Sequence, residues 1–131
     1  MKRNILNWIL SASLMAGSSC AFAANLPEFS RDIAPILNSR CASCHLTGQE
    51  DGNLALTKAL SYDSIVNKPS IESDLLRVKP GEPEKSYLLL KLEGRHLDTG
   101  GSGARMPFGG APLDAISISM IRTWIAEGAK P

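Results

Sequence analysis

The sequence predicts an all-α domain of four to five short helices, and three observations carry that reading. Apolar residues recur at helical spacing in Leu113–Gly128. Helix start and stop residues bracket two further segments, Asp32–Arg40 and Pro83–Glu93. Strand signals are nearly absent. With 131 residues the chain is expected to form one domain, and it shows no internal repeat and no low-complexity tail.

Residues 1–23 read as a signal peptide and residues 24–131 as the folded domain. Lys2 and Arg3 supply the positive start, Ile5–Met15 the apolar run, and Ala21-Phe22-Ala23 the small-x-small cleavage pattern. The run is too short for a membrane-spanning anchor. Cys20 would bear lipid in a lipoprotein leader, but a large aliphatic residue usually stands three positions earlier, where this chain has Gly17. Cleavage after Ala23 is therefore expected, leaving only Cys41 and Cys44 and placing the protein in the periplasm with no membrane span. Removing Lys2 and Arg3 from 14 basic residues, against 13 acidic ones, turns the formal charge from +1 to −1. No basic patch remains, which excludes nucleic acid and anionic membrane as expected partners.

Asn25–Ser30 is a lead-in. In the helix Asp32–Arg40, Asp32 is the expected cap and Pro35 falls in the first turn, where its missing N–H costs little. Phe29, Ile33, Ile36 and Leu37 form its apolar stripe. Arg40 reads as a solvated surface charge. Leu46–Leu60 is a polar, glycine-containing loop, with Leu54 and Leu56 expected to tuck inward. Ser61–Asn67 reads as a short helix capped by Ser61, and Lys68–Lys79 as irregular chain broken at Pro69. Pro80-Gly81-Glu82-Pro83 turns into a helix that runs to about Glu93 and stops at Gly94. Tyr87, Leu88, Leu90, Lys91 and Leu92 give it a wide apolar face. The last helix carries Ile116, Met120, Ile121, Trp124 and Ile125 on one stripe, with Asp114 to cap its start and Gly128 its end.

Between Arg40 and Leu46 stands Cys41-Ala42-Ser43-Cys44-His45, a C-x-x-C-H pattern. Two thiols on one turn suit addition to the two vinyl groups on one edge of a porphyrin, and the next residue presents an imidazole to the iron. This is the signature of covalent c-type haem attachment. A thioredoxin-like redox pair would want a βαβ surround, which the helical Phe29–Arg40 does not give. A zinc site would need a fourth ligand, for which only Cys20 and His96 remain. The expected cofactor is one haem c, held by Cys41 and Cys44, with His45 on the iron.

The second axial position has three candidates. Met120 lies on the stripe of the last helix and reads as core. His96 reads as a surface histidine at the entrance of the Gly94–Ala111 loop. Met106, followed by Pro107 at the centre of that loop, has the setting of a distal ligand. A structureless stretch of this length is uncommon unless functional. Histidine–methionine ligation leaves no open iron site and suits one-electron transfer.

With these residues in view, the chain resembles the class I cytochrome c family over nearly all of residues 24–131. The resemblance rests on an amino-terminal helix, the Cys41–His45 motif, Met106-Pro107 and a closing helix ending Trp124-Ile125-Ala126-Glu127-Gly128-Ala129. More narrowly, Pro80-Gly81-Glu82-Pro83-Glu84-Lys85-Ser86-Tyr87-Leu88 is similar to the segment before the distal loop in small bacterial periplasmic members. It implies a cytochrome c-like fold wrapped around the haem, with first and last helices crossing and Phe29 or Ile33 near Trp124. It also implies His45 as proximal and Met106 as distal ligand. The chain departs from mitochondrial-type members in having no Gly-Pro soon after the motif. The expected function is a periplasmic monohaem electron carrier, not an enzyme, meeting redox protein partners in transient contacts as a monomer. Two alternatives stand beside it: a subunit through which electrons reach a periplasmic oxidoreductase complex, and a haem sensor or peroxidase with a labile sixth ligand.

Overall fold

The computed structural model describes residues 25–131; the signal peptide expected over 1–23, with Cys20, lies outside the described residues. Four α-helices form: α1 (Ala34–Arg40), α2 (Ser61–Ile65), α3 (Tyr87–Glu93) and α4 (Ala115–Ala126). Among the described residues there is no strand, only isolated bridges such as Val66 with Val78 and Leu76 with Ser86. The all-α expectation holds at that level. No helix among the described residues is long and apolar enough to cross a membrane.

Helical structure covers Phe29–Arg40 and so begins before the expected Asp32 cap. A π-helical turn, Phe29–Ile33, runs directly into α1. Asp32 sits inside this turn rather than capping it, and its carboxylate reaches back to accept the Glu28 N–H at 2.8 Å. The turn buries Phe29 and Ile33 against α4. The Phe29 ring stands 5.2 Å from Trp124 and 5.0 Å from Tyr62, centroid to centroid. The first and last helical segments thus meet as the resemblance implies.

Ser61 opens α2 but does not cap it: its hydroxyl is buried with no hydrogen-bond partner among the described residues. The helix expected from Pro83 is split. Pro83–Lys85 forms one 3-10 turn, Ser86 is extended, and α3 starts afresh at Tyr87. The buried Ser86 hydroxyl explains the break, because it accepts the Lys79 N–H at 2.9 Å and faces the Glu82 carbonyl at 3.0 Å. Side-chain bonds to nearby backbone offer the chain such an alternative to helix. α3 then buries every residue from Tyr87 to Leu92 and ends at Gly94, whose φ of +75° suits glycine. Each fully buried leucine is worth about 1.5–3 kcal/mol, so this short helix is held by its surroundings rather than by propensity.

α4 is capped as expected, with Asp114 accepting the Ser117 N–H at 2.9 Å. Its stripe is shifted from the expected one. Ile121, Trp124 and Ile125 are buried, whereas Ile116 is 75% exposed. The helix rolls so that its first turn leans away from the core, and Leu113 covers that end instead. Arg122 crosses to Glu84 and Glu93, tying α4 to the α3 segment.

Candidate functional site

The C-x-x-C-H segment is a turn built on the end of α1. The Cys41 N–H bonds the Leu37 carbonyl at 2.9 Å, and the Cys41 carbonyl accepts from Cys44 at 3.1 Å and from His45 at 3.0 Å. One carbonyl therefore gathers the segment into a loop that presents both thiols and the imidazole together. Leu56 N–H then bonds the His45 carbonyl at 2.7 Å and fixes the exit of the turn. Cys41 is half-buried and Cys44 exposed, and both are free thiols. Burial pushes the Cys41 thiol up to about 11, with Cys44 adding to the rise and Arg40 opposing it. A dithiol redox centre needs the opposite, a thiolate stabilised near neutral pH. His45 Nδ1 is buried and has no hydrogen-bond partner among the described residues.

The loop after the turn is braced by Glu50. Its carboxylate accepts from Thr47 N and Oγ1 and from Gly48 N, at 2.9–3.0 Å. Desolvation opposes its charge, but these hydrogen bonds outweigh it and draw the Glu50 carboxyl down to about 2. Arg77 closes the same region from below. Its guanidinium donates to Ser64 O at 2.8 Å, Gly52 O at 2.7 Å and Asn53 O at 3.0 Å. All three partners are neutral carbonyls, and burial alone lowers the Arg77 pKa.

The Gly94–Ala111 loop is stitched along α3 rather than hanging free. Met106 N–H bonds Lys91 O at 3.2 Å, Arg105 Nε bonds Leu92 O at 2.9 Å, and Ser102 N–H bonds the Tyr87 hydroxyl at 3.2 Å. His96, expected at the surface, is 2% exposed and lies inside this stitching. Its Nε2 donates to Gly103 O at 3.0 Å, and a 3-10 turn, His96–Thr99, turns the ring inward against the Tyr87 edge. Through Nε2, His96 fastens the loop, while its buried Nδ1 has no hydrogen-bond partner among the described residues.

A cavity of about 1010 Å³ lies between these two constructions. Ligand pockets commonly span ~300–1,000 Å³, so it has room for a large cofactor. Cys41, Cys44 and His45 line it from the turn and Met106 from the loop, with Leu54, Leu56, Leu88 and Leu92 among the apolar lining residues. Met120 packs against the core and His96 does not reach the lining. Leu54 and Leu56, expected to tuck inward, both reach this lining. Arg77, Glu72 and Lys91 also line the cavity and were not anticipated there. Lys91 did carry a signal, as the one charge in a helix face otherwise read as apolar; Arg77 carried none. Among the described residues no group of three or more His, Cys, Asp or Glu converges to hold a bare metal ion.

Comparison of the chain with family models, curated proteins and solved structures finds no match to any of them.

Proposed function

We propose that this protein is a c-type cytochrome that carries single electrons between redox partners in the periplasm. The observation that carries the reading is that one apolar cavity is lined by both cysteines, His45 and Met106, although Met106 lies far along the chain from the other three. Cys41 and Cys44 would hold haem c through thioethers, with His45 and Met106 as the axial donors. When bound, the haem supplies a one-electron iron centre.

The residues present fit that group on three counts. The cavity is large enough, and Leu54, Leu56, Leu88 and Leu92 give it an apolar stretch of wall. The His45 ring lines the cavity, and its buried Nδ1 has no hydrogen-bond partner among the described residues. Arg77 brings to the lining a cation with no carboxylate partner among its hydrogen bonds, which suits a cofactor that carries carboxylates. The chain's own work is to close the distal side with Met106 and to exclude water with Leu54, Leu56, Leu88 and Leu92. Iron held by both His45 and Met106 would have no open position, which would favour electron transfer over ligand activation.

The test is the absorption spectrum of the exported, matured protein, oxidised and reduced, for wild type and Met106→Ala. A low-spin c-type spectrum with a methionine–iron charge-transfer band, lost in Met106→Ala, is the expected result. An unchanged variant spectrum, or ready carbon monoxide binding by the reduced wild type, would favour sensing or peroxide chemistry instead.

A further inference from the structure

We propose that Lys91 is the positioning residue for Met106, latching the distal loop onto α3 from both ends of its own structure. This rests on the cytochrome reading of the cavity and adds to it the device that keeps Met106 in the wall.

Lys91 is the one charged side chain in the buried core of the described residues, at 6% exposure. Its neighbours Leu88, Leu89, Leu90 and Leu92 are apolar and buried, so α3 would pack more cheaply with another apolar residue there. Lysine is seldom buried unless paired, and a buried ion pair by itself is weak support for stability. The reason for the charge is therefore sought in what it holds. Its ammonium donates to Glu72 Oε2 at 2.8 Å and, in a very short contact, to the Ser102 carbonyl. It also stands 5.5 Å from the Tyr87 ring centroid. Its backbone carbonyl accepts the Met106 N–H. One residue thus grips the loop at Ser102 with its side chain and at Met106 with its main chain.

The loop is shaped for this approach. A Cβ on Gly103 would stand 3.1 Å from Lys91 Nζ and 3.4 Å from Glu72 Oε1, and Gly103 has a φ of +75°. A Cβ on Gly101 would stand 2.5 Å from the Tyr87 ring, closer than side chains tolerate. The backbone passes tightly over the ammonium because these two residues are glycine. Tyr87 completes the grip, its hydroxyl lying 3.3 Å from both Glu72 Oε2 and Ser102 O.

The experiment reads two signals from the matured protein in wild type, Lys91→Met and Glu72→Gln. One is amide hydrogen exchange at Gly101, Ser102, Gly103 and Met106, with Ile121, Trp124 and Ile125 of α4 as reference. The other is the methionine–iron band. Lys91→Met keeps the stem and removes the ammonium. Glu72→Gln alters a part-exposed partner and leaves the core intact, so it decides the matter if Lys91→Met folds poorly. The expected result is exchange at least tenfold faster across the loop in Lys91→Met and several-fold faster in Glu72→Gln. The α4 reference stays unchanged and the band weakens in the same order. Loop exchange at the wild-type rate in both variants overturns the proposal. So does an equal rise in α4, which would make Lys91 a general packing residue, or a fully retained band over a loosened loop. A wild type lacking the band counts against Met106 as ligand, and the exchange comparison alone then decides whether Lys91 is the latch.

Discussion

The two sides of the cavity are built on opposite plans. The cysteine–histidine side is local: one carbonyl, that of Cys41, organises a turn of consecutive residues at the end of α1. The methionine side is remote: Met106 arrives on a long glycine-rich loop and is held by contacts to Tyr87, Lys91, Leu92 and His96. On the proposed haem reading, a covalent anchor would tolerate a site set by sequence neighbours alone, whereas the Met106 sulfur, held by no covalent bond, would need tertiary packing to keep it in place. The comparison teaches that the distal half should fail first under stress, since loop stability is local and separable from that of the core.

The largest challenge to this contrast is Arg77→Ala. The three carbonyls that Arg77 bonds belong to the chain following the motif and to α2, so the cysteine–histidine side is not wholly local. Hydrogen bonds from charged groups make this variant expected to lose about 2–3 kcal/mol in urea unfolding. Arg77→Lys should recover little, having lost the planar fork. A loss near zero would show that the motif's own turn suffices. Next in size is Gly101→Ala, which forces the loop away from the Tyr87 ring and the His96 carbonyl. Overpacking of this kind costs about 1–3 kcal/mol. On the proposed haem reading, the methionine–iron signature should melt earlier while the core transition moves little, and simultaneous loss of both would break the contrast.

The smallest effect is a pH dependence confined to the cysteine–histidine side. The Glu50 carboxyl is drawn down to about 2 by the Thr47 and Gly48 donors. A carboxyl depressed in the folded state stabilises fully above its unfolded value of ~4.3, and that contribution is lost as the pH falls toward the folded value. The stability difference between wild type and Glu50→Gln should therefore be greatest above about pH 5 and shrink toward about pH 2. A difference that stays constant across that window would remove Glu50 as the brace of the loop.

Much of this was legible in the residues because the determinants are near one another in the chain. Asp114 and Gly94 mark helix ends through local hydrogen bonding and backbone freedom, and both stand where they were read. The motif was legible for the same reason. Errors arose wherever a distant contact overruled a local preference. Ser86 interrupts a helix for a different, local reason: its hydroxyl accepts the Lys79 N–H and donates to the Glu82 carbonyl. Ile116 faces outward while α4 packs Trp124 against Phe29, a contact from the far end of the chain. His96 is buried by a loop that folds back on α3, and nothing in its neighbours announces that return. Arg77 reaches the cavity only through the fold of residues 68–79, which has no periodic signal to read.

The stitching of the distal loop also sets where the chain can change length. From Gly101 to Met106 nearly every residue has a fixed partner on α3 or its flank, so one inserted residue would throw each later contact out of register. Beyond Pro107 the ties thin to the Arg40 bond to Ala111 O and a turn from Gly110 to Pro107. A Cβ at Gly109 meets nothing within 4 Å. Insertions and deletions are thus expected to be better accommodated between Pro107 and Leu113, at the rim near Phe108, than between Gly101 and Met106.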